Sequence, residues 1–413
     1  MKILHTSDWH LGKTLGGRRR YDEFAAFLSW LIGLIREKEV THLLLSGDVF
    51  DNTTPSSRAQ ELYYEFLVNA RSAGCRHIVV TAGNHDSASL LDAPGLLLRP
   101  MNIHVIGNVS DAPADEVLLL KDEKGDPELV VCAVPYLPDR VLRISSAGES
   151  AEEKNKNQLQ GLRDHYRSVC EYGRKLQWES GGKIPLVAMG HLYLSGSMLQ
   201  EGDGVRELYI GTLLRIDREI FPEYVDYAAL GHLHVPQSVD GIEKIRYSGS
   251  PLALGFGEAN HEKSVTLVSF PDGKTVIEPC KVPQFRILQR ISGNLEMILA
   301  AIHELKSQEQ EMDLEITCSA ERYEPGLNEK ITAALEGTKL NLLILRTSLS
   351  ASSGRGLQAD MLEAELTEDE ENVYKVFDRF LEERKVAEDR IDTLRSTYRE
   401  AVVMMHETDG GAE

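Results

Sequence analysis

Residues with the chemistry to hold metal ions collect at five points of this 413-residue chain, and each point closes a short apolar run. Ile3-Leu4-His5-Thr6-Ser7 runs into Asp8-Trp9-His10, Leu43-Leu44-Leu45-Ser46-Gly47 into Asp48-Val49-Phe50-Asp51, and Ile78-Val79-Val80-Thr81-Ala82-Gly83 into Asn84-His85-Asp86. Leu186-Val187-Ala188-Met189-Gly190 ends at His191, and Ala228-Ala229-Leu230-Gly231 ends at His232-Leu233-His234. Carboxylate, imidazole and carboxamide donors without a thiolate suit Mn²⁺, Fe²⁺ or Zn²⁺. Asp8, His10, Asp48, Asn84, His191, His232 and His234 are more donors than one ion takes. Two ions sharing one carboxylate would use them all. Such a pair, roughly 3.5–4 Å apart, clamps the attacking and leaving oxygens of an in-line displacement at phosphorus. Taken singly, each cluster is ordinary: Asp-x-His pairs often cap helices, and Gly-Asp ends many strands. Their joint occurrence, each after a strand-like run, is what points to a metal centre. An extended His232-Leu233-His234 would turn both rings to one side.

The elements that position these residues are strands. In α/β sheets, ligands gather beyond the carboxyl ends of the strands, and Gly47, Gly83, Gly190 and Gly231 each stand just before a donor, where the chain turns. The spacing predicts strands over Lys2–His5, His42–Leu45, His77–Val80, Val130–Val134, Leu186–Met189 and Tyr227–Leu230. Apolar residues at helical spacing predict helices over Phe24–Ile35 and through Leu62, Phe66, Leu67 and Ala70. Residues 1–280 are therefore expected to form an α/β domain. A polar stretch, Ser145–Asn157, reads as a loop or helix entry. Past Pro283, residues 284–350 read as a small α+β module: strand Phe285–Ile291, helix Leu295–Leu305, strand Leu314–Cys318, helix Leu327–Leu335, strand Leu340–Leu345. Ser350–Gly356 reads as a linker. Residues 365–406 read as two helices, one opened by a capping box at Thr367–Glu370 and striped by Val373, Val376, Phe377, Phe380 and Leu381, the other striped by Ile391, Leu394, Tyr398, Ala401 and Met405. These pack either on the parent domain or on a partner.

Composition removes several classes of function. No apolar run reaches the ~18–20 residues that span a bilayer, and the amino-terminal Met1–Asp8 turns polar too soon for a secretory signal. The five cysteines are scattered, without a Cys-x-x-Cys pair, so neither a disulfide framework nor a zinc ribbon is expected and a reducing cytoplasm fits. Net charge is −20, from 65 acidic and 45 basic residues. Residues 355–413 alone hold 17 acidic and 8 basic residues. A general electrostatic coat for nucleic acid is excluded, although bound cations and local basic loops still permit a DNA substrate. No Gly-x4-Gly-Lys-Ser/Thr loop is present, so ATP is not bound by a P-loop. His5, His42, His77, His104, His165, His261, His303 and His406 lack a matching context and read as structural or exposed.

The ordered set Asp8-x-His10, Gly47-Asp48-x-x-Asp51, Gly83-Asn84-His85-Asp86, Gly190-His191 and Gly231-His232-x-His234 resembles the signature of the calcineurin-like metallophosphoesterases. The wording HTSDWHLGKTL, SGDVFDNTTPS, TAGNHDS, MGHLYLSGS, YAALGHLHVPQ and YSGSPLALGFGE resembles more narrowly the Mre-type repair nucleases of that family. The resemblance covers residues 1 to about 257 strongly, and 284–350 by order of elements. It implies an α/β sandwich with a small capping domain and carboxyl-terminal helices. It implies two divalent ions, Mn²⁺ by preference: Asp8, His10, Asp48 and His234 on one, Asp48, Asn84, His191 and His232 on the other. His85 would stand over the scissile phosphate and serve the departing oxygen, with Asp51 and Asp86 orienting ligands. The implied activity is hydrolysis of DNA phosphodiesters, at duplex ends and in single strands or hairpins, in repair, recombination and replication. The module at 284–350 would orient DNA, and the helices at 365–406 would dock on an SMC-like ATPase of the SbcC type. A homodimer within a heterotetramer is implied, with Leu62–Ala70 among its candidate contacts, in the bacterial cytoplasm at the nucleoid. Lys13, Arg18, Arg19 and Arg20 are either phosphate contacts or a solvated cluster. Two other readings share parts of this pattern: a phosphoesterase for small nucleotides or phosphoproteins, and a DNA-end bridging protein without cleavage.

Overall fold

The computed structural model describes residues 1–138, 141, 151–198, 216–308, 310–320 and 326–349. Residues 1–319 and 324–347 form one compact unit, and 320–323 with 348–413 belong to a second. The expected linker at Ser350–Gly356 and the expected helices at 365–406 lie outside the described residues.

The chain begins with β1 (Lys2–Thr6), the hairpin β2 (Thr14–Leu15) and β3 (Arg18–Arg19), α1 (Tyr21–Lys38), β4 (His42–Ser46), α2 (Ser57–Ser72), β5 (His77–Thr81), the short α3 (Ala88–Asp92) and α4 (Gly95–Leu98), and β6 (Ile103–Ile106). There follow β7 (Val117–Lys121), β8 (Pro127–Ala133), the long α5 (Ala151–Glu179), β9 (Leu186–His191), β10 (Tyr227–Gly231), β11 (Gln237–Val239), β12 (Ile242–Tyr247), β13 (Ser264–Ser269) and β14 (Val276–Lys281). The last described elements are β15 (Ile287–Gly293), α6 (Leu295–Lys306), β16 (Met312–Ala320), α7 (Leu327–Leu335) and β17 (Leu340–Leu349).

Two six-stranded sheets result, ordered β14-β13-β1-β4-β5-β6 and β11-β12-β10-β9-β8-β7. Four adjacent strands of each run parallel: β1, β4, β5 and β6, at one side of the first, and β12, β10, β9 and β8, at the middle of the second. Alternation along each strand sorts the side chains. Leu43 and Leu45 face outward to α1 and α2 together with Ile78 and Val80, while Leu44 and Val79 face inward. Val187, Met189, Tyr227 and Ala229 of the second sheet close on them from the other side, and Ala188, Ala228 and Leu230 pack outward among residues of α5. Strands covered on both faces need apolar residues at every position, which is why these segments read as unbroken hydrophobic runs. The helices are ended by local chemistry: the Ser56 hydroxyl accepts the Ala59 N–H at 3.2 Å to start α2, and Glu39 closes α1 in the left-handed region.

Strands β15, β16 and β17 form a separate three-stranded sheet, with α6 and α7 packed over it around Ile298, Ile302, Leu314, Ile316 and Ile331. It meets the larger part through Leu288 against Leu15 and Phe256, and through Asp313, which accepts from Arg18 at 2.6 Å while also accepting from the module's own Arg286 at 2.8 Å.

Candidate metal centre

Beyond the carboxyl ends of β1, β4 and β5 in one sheet and β9 and β10 in the other, all seven expected donors meet. Asp48 Oδ2 lies 3.4 Å from His10 Nε2 and 3.3 Å from His191 Nε2. Asn84 Oδ1 lies 3.0 Å from His191 Nε2 and 3.1 Å from His232 Nδ1. Asp8 Oδ1 accepts the backbone N–H of His232 at 2.9 Å, and the His234 ring stands edge-on to that of His10 at 5.2 Å. Donor atoms of Asp8, His10 and His234, and of Asp8, Asp48 and His191, fall within 4.8 Å of one another in each group.

These positions demand an unusual backbone. Asp8 (φ 54°), His10 (φ 46°), Asp48 (φ 49°) and His232 (φ 100°) all lie at positive φ, a conformation costing of order 1–3 kcal/mol at a non-glycine residue. Strain so concentrated marks a place where direction of side chains outweighs local stability. The positive φ at His232 also corrects the expectation of an extended His232-Leu233-His234. The chain bends there, and the two rings reach different partners, His232 toward Asn84 and His234 toward His10. Gly83 supplies room: a Cβ there would fall 2.1 Å from Asp48 Oδ1.

The electrostatics call for cations. Asp8 and Asp48 are both buried, and an uncompensated buried carboxylate costs several kcal/mol. His191 Nδ1 faces the Ser46 carbonyl at 3.0 Å and so carries a proton, while its Nε2 faces the oxygens of Asp48 and Asn84. Burial lowers the His191 imidazole, but Asp48 outweighs it and lifts the group to about 9. Burial raises Asp48, but His191 and His10 hold it well below the usual carboxylate range. Burial raises Asp8 and pushes His232 down to about 3. The two buried ring nitrogens of His10 face only carboxylate oxygens, Asp51 at 3.3 Å and Asp48 at 3.4 Å. This donor set therefore fits divalent metal ions, which the fold family implies.

Around the donors lies a ring of supports, of which the sequence reading identified two. Asp51 sits 3.3 Å from His10 Nδ1. Asp86 reaches no donor side chain; it accepts the N–H groups of Val49 at 3.1 Å, Phe50 at 2.9 Å and Gly83 at 2.9 Å, fixing the two loops on which Asp48 and Asn84 stand. His85 Nδ1 donates to the Asp51 carbonyl at 2.9 Å, leaving Nε2 for other use. Three supports were missed. Ser248 joins Ser7, whose hydroxyl donates to Asp8 at 2.5 Å. Glu258 accepts from His234 Nδ1 at 3.2 Å and from Lys263 at 2.5 Å. Ser248 and Glu258 lie in the segment YSGSPLALGFGE, the one signal that could have found them. Of the basic cluster, Lys13 pairs with Asp51, Arg18 with Asp313 and Arg20 with Glu23, so those cations serve the fold rather than standing free for phosphates.

Fold and donor set together define a calcineurin-like phosphoesterase, and the family model of that description matches residues 1–236. A second model, described as Type 5 capsule protein repressor C-terminal domain, matches residues 284–385. The chain is 36% identical over 351 residues to the SbcD component of the SbcCD nuclease of Escherichia coli (strain K12), covering 84% of this chain and 85% of that protein. It is 34% identical to the protein of the same name from Rhodobacter capsulatus, covering 83% and 86%, and 36% identical to that of Bacillus subtilis, covering 66% and 67%. The chain belongs to the calcineurin-like phosphoesterases, in the branch of the SbcD nucleases. No helix among the described residues is long and apolar enough to cross a membrane.

Proposed function

We propose that this chain is a Mn²⁺-dependent DNA nuclease, acting on duplex ends and on single strands or hairpins together with an SMC-like ATPase of the SbcC type. The observation that carries the reading is the meeting of Asp8, His10, Asp48, Asn84, His191, His232 and His234 around one pocket. Asp8, His10, Asp48 and His234 would hold one ion, and Asp48, Asn84, His191 and His232 the other. Ions bound there supply Lewis acidity toward a phosphodiester and lower the pKa of water near neutrality. The protein's own part is orientation and proton handling. Asp51 fixes the His10 ring, Glu258 the His234 ring, and the Asp51 carbonyl holds His85 by Nδ1. His85 Nε2 is thereby presented to the departing oxygen of the cleaved strand. Residues 284–350 would orient DNA, since Arg18 ties that module, through Asp313, to the region beside the first donor loop. The residues at 365–406 would dock on the ATPase, a homodimer forming the centre of a heterotetramer in the cytoplasm.

Cleavage of linear duplex, single-stranded circle and hairpin DNA, by the chain alone and with its ATPase, in Mn²⁺ or Mg²⁺ and with or without ATP, tests the reading. Cleavage confined to cyclic nucleotide or phosphopeptide would replace it with a small-substrate phosphoesterase. Binding of DNA ends with no cleavage under any condition would replace it with a bridging protein.

A further inference from the structure

The amino ends of the same strands carry a second histidine cluster, at residues whose sequence context reads only as structural or exposed. His42 opens β4 and His77 opens β5 as directly paired residues of the parallel ladder. Their rings stack at 5.1 Å and 19°, and His104 of β6 stacks on His77 at 6.2 Å. Like Leu44 and Val79 two residues on, His42 and His77 point between the sheets. There they meet Glu128 of β8 and the backbone of Lys121 at the end of β7.

The protons on these rings can be placed. The Lys121 carbonyl can only accept, so His77 Nε2, 2.8 Å away, carries the hydrogen and Nδ1 is a bare lone pair. The Thr41 hydroxyl donates its single hydrogen to the Lys2 carbonyl at 3.0 Å and accepts the Lys2 N–H at 3.1 Å. In that arrangement it accepts from His42 Nδ1, at 2.9 Å, and His42 Nε2 carries no proton. Burial keeps both rings neutral, pushing His42 down to about 2 and lowering His77. His42 Nε2 and His77 Nδ1 are both buried without a hydrogen-bond partner, and His42 Nε2 faces Glu128 Oε1 at 3.4 Å. His42 itself is 0% exposed.

We propose that His42, His77 and Glu128 form a second metal site that takes Zn²⁺, separate from the catalytic centre and at the opposite end of the sheet. Two imidazole nitrogens and one carboxylate oxygen, with a water in the fourth place, are a common Zn²⁺ set. The ligand atoms of the three residues lie within 4.8 Å of one another. The 3.4 Å separation of His42 Nε2 and Glu128 Oε1 matches the roughly 3.3–3.4 Å edge of a tetrahedron with ~2.0–2.1 Å bonds. The hydrogen bonds to Lys121 and Thr41 are of the kind that fix tautomer and ring angle in ligating histidines. Glu128 is partly exposed and gives the ion a way in. Arg76, whose Nη2 donates to Glu128 Oε1 at 2.5 Å, is the competing cation.

The test is equilibrium dialysis of Zn²⁺ alone against the full chain, with elemental analysis, for the parent and for His77→Gln, Glu128→Gln and Arg76→Ala. Only the difference from the parent counts, so the result does not depend on how many ions the catalytic pocket holds. His77→Gln should lose one Zn²⁺ per chain. Glu128→Gln should weaken that ion about 10–100-fold, and Arg76→Ala should tighten it several-fold, since a competitor is removed. Unchanged Zn²⁺ content in His77→Gln and Glu128→Gln would overturn the site, as would unchanged or weaker binding in Arg76→Ala. Should His77→Gln fail to fold, the partly exposed Glu128→Gln decides the matter by itself.

Discussion

The two ends of the first parallel sheet gather the same kinds of side chain by opposite means. At the carboxyl end, donors stand on loops that have just left their strands, four of them at positive φ, with Gly83 clearing space beside Asp48. At the amino end, His42 and His77 sit inside regular strands, and ladder pairing alone brings them together. The carboxyl end packs seven donors and both sheets around one pocket, a density that only a strained backbone permits. The proposed site at the amino end asks for three ligands: the pleat delivers two, and Glu128 reaches in from β8 of the other sheet. Directional crowding costs backbone energy; a sparse site need not.

Asp48→Ala should separate the two ends most clearly. Asp48 touches both His10 and His191 and accepts the His85 N–H at 2.9 Å, so its loss should empty the carboxyl end of both ions and leave the amino end intact. DNA cleavage should fall by ~10³-fold or more, in the range set by loss of charge stabilisation at a reacting centre. Elemental analysis of the purified variant, beside a duplex cleavage assay, reads both effects. Retention of two catalytic ions would remove Asp48 from its central place.

His85→Ala comes next, with metal content kept and cleavage reduced about 10²–10⁴-fold, the usual worth of a positioned proton donor. The ring packs on His10 at 4.8 Å and is held by its Nδ1 to the Asp51 carbonyl at 2.9 Å. A variant that cleaves at the parental rate, with its ions counted and present, would leave the ring no part in the reaction.

The contrast also explains what could be read from sequence. Asp8, Asp48 and Asn84 were legible because chain reversal beside a donor needs glycine or a small polar residue next to it, and that need prints as Gly-Asp and Gly-Asn-His. The strands were legible because burial on both faces leaves no polar alternation. The bend at His232 was not, since nothing in His-Leu-His distinguishes an extended segment from one turned at φ 100°. Asp51 lies three residues from Asp48 and was found, whereas Glu258 lies 24 residues from the His234 ring it holds, a distance over which spacing carries no signal. His42 and His77 read only as structural or exposed because their meeting depends on strand register, which pairing between elements decides and local sequence does not.

Glu258→Gln sharpens the comparison at its supports. The carboxylate, buried beside Lys263 and His234, orients a proposed ligand from behind, a role typically worth 10–100-fold in metal affinity. We expect a drop of about that size in Mn²⁺ affinity, with cleavage restored by excess metal. Burial would raise the Glu258 carboxyl, but His234 and Lys263 hold it at about 2 against 4.5 ordinarily. A depressed acid stabilises the fold above its unfolded value and loses that contribution as pH falls from about 4.5 through about 2. Urea unfolding across that window should therefore show a shallower pH slope for the variant than for the parent.

His104→Gln gives the smallest effect and addresses the amino end alone. Burial, then the neighbouring His77 and Arg99, hold the His104 imidazole down at about 4 against 6.5 ordinarily. Here the depressed group is a base, so between pH 6.5 and 4 the unfolded chain binds a proton that the folded chain refuses. Stability consequently falls as pH drops through that interval. Replacing the ring with glutamine removes this penalty, so the parent's advantage over the variant at about pH 7 should shrink by about pH 4.5. Urea midpoints in the presence of a chelator, which keeps any ion at His77 out of the balance, provide the measurement. Parallel pH profiles for the two proteins would mean that His104 is not a neutral base held between the sheets.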